Sequence, residues 1–205
     1  GATTHTANNV LVGNGTSAVG SVAPSTSGNV LTSNGSSWAS TAPAGGLTRS
    51  ATVATTSGTS VSITGIASGT NVIHAAFDSV NTVAGDILLF QIGDSGGIEV
   101  ASYGGSGLQF DGASSMLDSA DGTDSMAGIT IPRTNRAVWG IFTWVKVDTY
   151  DWICSWTMWA NSGVEPEVTW GGGKKTLSGE LDRVQLTTLG GTTTFSSGQL
   201  NVVYG

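Results

Sequence analysis

The chain has 205 residues, with 14 acidic and 7 basic side chains and a formal net charge of −7 at pH 7. A chain this acidic has no stripe of basic side chains to neutralise the phosphates of a nucleic acid, so no nucleic-acid binding is expected. No apolar run approaches the roughly 20 residues of a membrane-spanning helix, so no membrane insertion is expected. Cys154 is the single cysteine, which excludes an internal disulfide and predicts a small buried hydrophobic side chain. The length fits one globular domain plus an appendage.

The first predicted region, residues 1–46, contains no charged side chain and is built from Gly, Ala, Ser, Thr, Asn and Val with few larger apolar residues. Residues 9–17 and 29–37 repeat one pattern, a short apolar stretch followed by an Asn-Gly turn. These few large apolar side chains would bury too little surface to offset the backbone entropy that a single chain loses on folding. We therefore expect an extended fibre shaft ordered by other chains, with a flexible linker as the alternative.

The second predicted region, residues 47–205, has the pattern of an all-β domain. Short runs of Val, Ile, Thr and aromatic residues alternate with Gly, Ser, Asn and Asp, and no long helical period occurs. Eight strands are predicted, at residues 61–66, 72–80, 87–92, 98–103, 137–147, 151–160, 181–189 and 200–204. This number and turn spacing favour an antiparallel β-sandwich of the jelly-roll type as a head domain.

The predicted strand at residues 137–147 has large apolar side chains on both faces. Trp139, Ile141 and Val145 fall on one face, and Phe142 and Trp144 fall on the other. A single core uses only one of these faces. Surplus apolar faces usually mark subunit contacts, so the pattern predicts an oligomer.

Several segments of the chain resemble the C-terminal part of tailed-bacteriophage fibre proteins. The junction at residues 30–38 and 43–46 resembles the one that precedes the C-terminal domain of such fibres, residues 87–103 resemble the centre of that domain, and residues 177–184, 195 and 201–204 resemble its end. The resemblance implies a homotrimer in the virion, as a tail fibre or a capsid-attached fibre, that attaches to the host cell surface. Its partners would be a second virion protein at the N-terminal end and a host glycan or protein. The alternative is a structural head fibre or capsid decoration protein without ligand binding.

One motif, Gly93-Asp94-Ser95-Gly96-Gly97, matches the sequence around the nucleophile of chymotrypsin-like proteases, and His74 and Asp86 precede it in the protease order. In that family tens of residues separate the three members, so the short gaps here argue against a triad. The motif is instead predicted to be a turn at the end of a strand. We expect no enzymatic activity.

Other chemical motifs are weak, and no cofactor or metal is expected. Asp118, Asp121 and Asp124 lack the order of a calcium-binding loop, and the two histidines and Cys154 lack the spacing of a zinc site. The segment at residues 171–175, Gly-Gly-Gly-Lys-Lys, lacks the phosphate-loop pattern and predicts a flexible hairpin with two surface cations. The pair Glu165 and Glu167 flanks a proline and predicts a turn.

Six of the seven tryptophans lie within residues 139–170. One interpretation is packing in the core and between subunits, and the other is a platform on which sugar rings stack. On the strand at residues 151–160, Trp152, Cys154, Trp156 and Met158 are predicted to share one face, with Ile153 and Trp159 on the other. The receptor-binding candidates are Tyr103, Asp118, Asp121, Trp159, Asn161 and Trp170.

Overall fold

The computed structural model describes residues 4–43, 45–84, 86–110, 115–120, 128–129, 136–161 and 166–205. Within these ranges the chain is all-β, with eighteen strands and no helix. It divides into two compact units, Gly1–Gly46 and Leu47–Gly205. This division falls at the boundary expected from the change in composition.

The unit Gly1–Gly46 contains two antiparallel hairpins. Strands β1 (Val10–Val12) and β2 (Gly20–Val22) form the first, and β3 (Val30–Ser33) and β4 (Trp38–Thr41) form the second. Each Asn-Gly sequence lies in the connection, where Gly15 and Gly35 adopt φ values of +60° and +87° that favour glycine. The interpretation of each repeat as a strand followed by an Asn-Gly turn is confirmed.

The two hairpins also repeat one hydrogen-bond pattern. The Asn9 side chain donates to Ser21 Oγ at 3.2 Å, and the Asn29 side chain donates to Ser40 Oγ at 3.1 Å. Ser40 Oγ in turn donates to the Pro24 carbonyl at 2.6 Å, which joins the second hairpin to the segment that follows the first. The sequence repeat is therefore a structural repeat.

The unit Leu47–Gly205 contains the other fourteen strands, which form two sheets. In chain order the strands are β5 (Thr48–Arg49), β6 (Val53–Ala54), β7 (Ser60–Thr64), β8 (Val72–Thr82), β9 (Leu88–Asp94), β10 (Gly97–Ile98), β11 (Tyr103–Phe110), β12 (Ser115–Ala120), β13 (Gly128–Ile129), β14 (Ala137–Lys146), β15 (Asp151–Asn161), β16 (Pro166–Thr176), β17 (Leu181–Thr188) and β18 (Phe195–Tyr204).

All pairings in this unit are antiparallel. The small sheet has five strands in the order β10-β9-β17-β7, with β13 also paired to β9. The large sheet has nine strands in the order β12-β11-β16-β15-β14-β8-β18-β5, with β6 also paired to β18.

The two sheets share one hydrophobic core. Phe90 of the small sheet contacts Phe77 and Phe142 of the large sheet, with ring centroids 5.7 Å and 5.2 Å apart. Between the same sheets, the Tyr103 hydroxyl donates to the Ile92 carbonyl and accepts from the Ile92 N–H, both at 2.9 Å. Apolar contacts and a buried hydrogen-bonded bridge thus hold the layers face to face.

The predicted strands agree with the structure where apolar alternation is strong, as in β7, β8, β9, β14, β15, β17 and the end of β18. The predicted strand at residues 98–103 is wrong, because β10 ends at Ile98 and β11 begins at Tyr103. The predicted flexible hairpin at residues 171–175 is also wrong, because this segment lies inside β16. Its glycines interrupt the apolar alternation by which a strand is recognised in the sequence.

Candidate functional site

The tryptophans divide between the core and the surface of the large sheet. Trp144, Trp152 and Trp156 are buried, and Cys154 and Met158 lie with them. Trp159 and Trp170 keep 51% and 42% of their surface exposed, and Trp139 is half-buried. The predicted division of β15 into two faces is confirmed. Core packing therefore accounts for three of these six side chains.

The glycines of β11 and β16 make room for Trp156. Its indole ring stacks on Phe142 with centroids 5.2 Å apart and planes 9° apart. A Cβ atom at Gly107 would lie 2.9 Å from Cζ2 of Trp156, and one at Gly171 would collide with the same atom. The Gly-rich sequences of both strands are therefore a consequence of one large core side chain.

The exposed aromatic residues share the outer face of the large sheet, on which side chains point away from the small sheet. Trp139 of β14 pairs with Trp159 of β15, and the two indole rings stack with centroids 6.4 Å apart and planes 15° apart. On the next row Thr157 pairs with Ile141 on one side and with Trp170 of β16 on the other. A short hydroxyl side chain thus lies among four large apolar ones.

A polar rim lies beside the Trp139–Trp159 stack. Asp78 of β8 accepts hydrogen bonds from Gln199 Nε2 at 2.8 Å and from Ser79 Oγ at 3.0 Å. The hydrogen bond from Gln199, followed by that from Ser79, lowers the pKa of Asp78 from its ordinary value. Asp78 is therefore a carboxylate at neutral pH, held in place by two donors.

The position of Asp78 depends on a β-bulge. The pairing of β8 with β14 shifts register between Val138 and Gly140, so that Asp78 and Ser79 oppose Trp139. Ser79 has φ of +55°, a left-handed conformation that is uncommon for a residue with a side chain. Bulges re-aim side chains and are over-represented next to functional sites. Here the bulge brings a carboxylate to the edge of an aromatic surface.

Of the predicted receptor-binding residues, the structure brings Trp159 and Trp170 together as diagonal neighbours on this outer face. Trp170 lies in strand β16, directly before the segment 171–175 for which a flexible hairpin was predicted. Asn161 and Asp118 belong to β15 and β12, but their side chains lie outside the described structure. Asp121 also lies outside the described residues, as does Asp124.

The prediction for Tyr103 is wrong. Its side chain is 2% exposed, and burial raises the pKa of its phenol well above the ordinary value. The hydroxyl bonds to Ile92 and to the Glu99 carbonyl, so it joins the two layers and is unavailable to a ligand at the surface.

Lys175, predicted as a surface cation, is also in the interior, with 4% exposure. Its ammonium lies 2.5 Å from Glu99 Oε2 and 5.3 Å from the centroid of the Tyr103 ring. Burial acts to raise the pKa of Glu99, but hydrogen bonds from Lys175 and Ser178 outweigh it, and the net direction is downward. This buried ion pair joins residues 99–102, which connect β10 to β11, to strand β16.

The predicted turn around Glu165 and Glu167 is corrected in part. Glu167 lies in β16, buried and paired with Arg136, because its side chain points to the core side of the sheet. Glu165 lies outside the described residues. Cys154 is buried as predicted, and burial raises the pKa of its thiol to about 12.

The protease-like motif forms the turn that was predicted. Asp94 ends β9, and its Oδ1 accepts the Gly96 N–H at 2.7 Å. A Cβ atom at Gly93 would collide with the Gly97 carbonyl oxygen, so the tight return of β10 requires glycine there. His74 Nδ1 bonds to Thr143 at 3.0 Å, and Asp86 accepts from Thr193 at 2.8 Å. Each of these residues therefore has a structural partner of its own.

A search of the described residues for three or more histidine, cysteine or acidic side chains grouped around a metal site finds none. In the same part of the chain, no helix has the length and apolar character needed to cross a membrane. Comparison of the chain with protein families, with curated proteins and with solved structures finds no match.

The sequence reasoning did not select four residues of this aromatic surface and its polar rim: Trp139, Thr157, Asp78 and Gln199. Alternation along residues 137–147 does place Trp139 on the outer face, and this was the available signal. Asp78 and Gln199 reach the site through a bulge and through the pairing of β8 with β18, which joins residues 121 positions apart. No local pattern carries that information.

Proposed function

We propose that this protein is a virion fibre of a tailed bacteriophage, a homotrimer with an extended N-terminal shaft and a β-sandwich head that attaches to the host cell surface. The observation that carries the proposal is the exposure of apolar side chains on the two hairpins. Val10, Leu11, Val30, Leu31 and Trp38 each keep between 41% and 51% of their surface exposed in the single chain. The sequence resemblance to phage fibres supports the same conclusion.

The hairpins need a cover that the unit Gly1–Gly46 itself does not provide. An isolated two-stranded hairpin is marginally stable in water, and these strands have only three or four residues. The first charged side chain of the chain is Arg49, so no charge opposes close contact between identical hairpins. Three copies wound together would bury the exposed side chains against one another.

The head has the layered form that such a fibre requires. Two antiparallel sheets share one core, and an aromatic surface remains on the outer face of the large sheet. A trimer presents three copies of this surface. Weak individual contacts then combine through effective concentration into strong attachment.

The assembly is tested by measuring the solution mass of the full chain by sedimentation equilibrium at micromolar concentration. We expect a trimer, and we expect the double variant Leu11→Ser/Leu31→Ser to shift toward monomer. Val100→Ser is the matched control, because Val100 is an exposed apolar residue outside the hairpins. A wild-type monomer would refute the trimeric shaft.

The role on the particle is tested by antibody labelling of intact phage with electron microscopy. Label at distal tail fibres is the expected result for attachment. Label on the capsid would indicate a head fibre or capsid decoration protein instead of an attachment fibre. The absence of label from the particles would reject the proposal of a virion fibre.

A further inference from the structure

On the outer face of the large sheet, the four adjacent strands β8, β14, β15 and β16 carry aromatic, hydroxyl and carboxylate side chains. Trp139 and Trp159 form the stacked pair, and Trp170 lies diagonally across from Trp159. Thr157 lies between Ile141 and Trp170 in the adjacent row. We call these residues, with Asp78 and Gln199, the outer-face site.

We propose that the outer-face site binds a surface glycan, with one hexopyranose ring against Trp159 and Trp170 and its hydroxyl groups toward Thr157, and with a neighbouring sugar unit, beyond Trp139, donating to Asp78. The inference rests on the proposed function, since it names the class of receptor and the place where it binds.

The aromatic part of the site matches one side of such a sugar. A pyranose ring has an apolar face of C–H groups, and these carry small positive charges that are attracted to the negative face of an aromatic ring. Trp159 and Trp170 are roughly half exposed although they lie within strands, so their ring surfaces are accessible on a rigid support. Rigid aromatic side chains lose little conformational entropy when they bind a ligand.

The polar part of the site matches the edge of the sugar. A carboxylate has about four acceptor positions, and Asp78 uses two of them on Ser79 and Gln199. The remaining capacity is available to a sugar hydroxyl, and charge-assisted hydrogen bonds of this kind are the strong ones. The Thr157 hydroxyl can both donate and accept.

The bulge supplies an independent reason to place a ligand here. Ser79 stays in a left-handed conformation, with its carbonyl accepting from Ser197 Oγ at 3.0 Å and with Gly198 packed so closely that a Cβ atom there would collide with it. Backbone conformations of this kind cluster at ligand sites, where the surrounding structure holds them. The strain fixes Asp78 beside Trp139.

A saccharide suits this surface better than a second copy of the chain. A protein face packed over the site would bury Asp78 with no cation in the site to pair with it, and burying an unpaired charge is costly. Thr157 would also need a partner. A sugar brings a hydroxyl group for each polar side chain and an apolar face for the aromatic rings.

The test uses the full chain on an array of immobilised bacterial lipopolysaccharides and capsular polysaccharides, followed by titration calorimetry with oligosaccharides from the polysaccharide that binds. We expect Trp159→Ala and Trp170→Ala each to weaken binding about tenfold or more, as for the central residues of other interfaces. Asp78→Asn should weaken it less, and Trp159→Phe should fall between wild type and Trp159→Ala.

Ile153→Ala is the matched control, because Ile153 is exposed on the same face of β15 but lies away from the site. It should bind within about twofold of wild type, a difference below 0.5 kcal/mol. The far-ultraviolet circular dichroism spectrum of each variant establishes that it is folded.

Three results would overturn the inference: no binding to any polysaccharide on the array, binding that survives both tryptophan substitutions, or a change in solution mass caused by those substitutions. The last result would make this face a contact between copies. Failure here is distinguishable from failure of the proposed function, because labelling at distal tail fibres without glycan binding refutes only the site, whereas unlabelled particles refute the fibre.

Discussion

The two units of this chain differ in how far they expose apolar side chains of similar size. In Leu47–Gly205, two sheets cover each other, and the side chains of Phe90, Phe142 and Trp144 are fully buried. In Gly1–Gly46, the hairpins expose Val30, Leu31 and Trp38 to solvent. A strand pair buries apolar surface only when a second layer covers it. The comparison teaches that the unit Leu47–Gly205 buries its large apolar side chains in its own core, whereas the unit Gly1–Gly46 leaves those of its hairpins half exposed.

The largest effect is expected in the core between the sheets. Phe90→Ala removes the ring that contacts Phe77 and Phe142 across the two layers. The free energy of unfolding should fall by about 3–5 kcal/mol, measured by urea denaturation. Phe110→Ala is the control, since Phe110 is half exposed at the end of β11 and should lose less than about 1 kcal/mol. Equal losses would contradict the described core.

A smaller effect is expected where glycine makes room for tryptophan. Gly171→Ala places a methyl group against Trp156 and against the Ser106 carbonyl. Overpacking of this kind costs about 1–3 kcal/mol of the free energy of unfolding. In Gly104→Ala the new methyl group meets only Lys174 side-chain atoms, at an ordinary 3.5 Å, so this control should be close to neutral. If both variants unfold at the same urea concentration as wild type, the proposed role of the β16 glycines is wrong.

Acid should destabilise the two-sheet unit through its carboxylates. The folded-state pKa of Glu99 is lowered, because the bonds to Lys175 and Ser178 outweigh burial. Its contribution to stability is therefore complete above the unfolded pKa of about 4.3 and is lost as the pH falls through the lower folded pKa. Glu99→Gln should flatten the fall in thermal midpoint between pH 5 and pH 3. An unchanged slope would show that other carboxylates, such as Asp86 and Asp94, carry the effect.

The smallest effect on unfolding is expected in the hairpins. Leu31→Ser changes a half-exposed side chain of the unit Gly1–Gly46, so the urea midpoint of the two-sheet unit should move by less than about 0.5 kcal/mol. The same variant should weaken self-association, measured by sedimentation. A large shift of the urea midpoint would show that the two units are not energetically separate.

Local alternation predicted most of the central strands and their faces. In β14 and β15 every second residue is apolar and buried, and this period of two is visible in the sequence itself. Strand β16 escaped prediction because Gly171 and Gly173 resemble a loop, whereas they are glycine because of Trp156 and the neighbouring strand. A requirement set by a distant side chain leaves no local pattern.

The candidate site was predicted only in part for the same reason. Trp159 was placed on the correct face by counting along its strand. Tyr103, at the end of the predicted strand 98–103, was misplaced as a binding residue, because its buried partner Ile92 is apparent only once the sheets pack. Asp78 was missed, because only a bulge brings it to Trp139.

The start of the unit Leu47–Gly205 decides where a pull on the preceding chain would enter this unit. Strand β5 pairs with the last strand, as Arg49 with Val203 and Thr48 with Tyr204, and the Ser50 N–H donates to the Val202 carbonyl at 2.8 Å. Arg49 and Asn201 add a side-chain bond at 3.0 Å. A pull on the chain ahead of Leu47, directed along β5, therefore shears this short ladder first, because its hydrogen bonds lie across the strands. The force reaches residues at the edge of the large sheet, while Trp139, Trp159 and Trp170, on strands three to five positions away from β5, stay outside the path of tension.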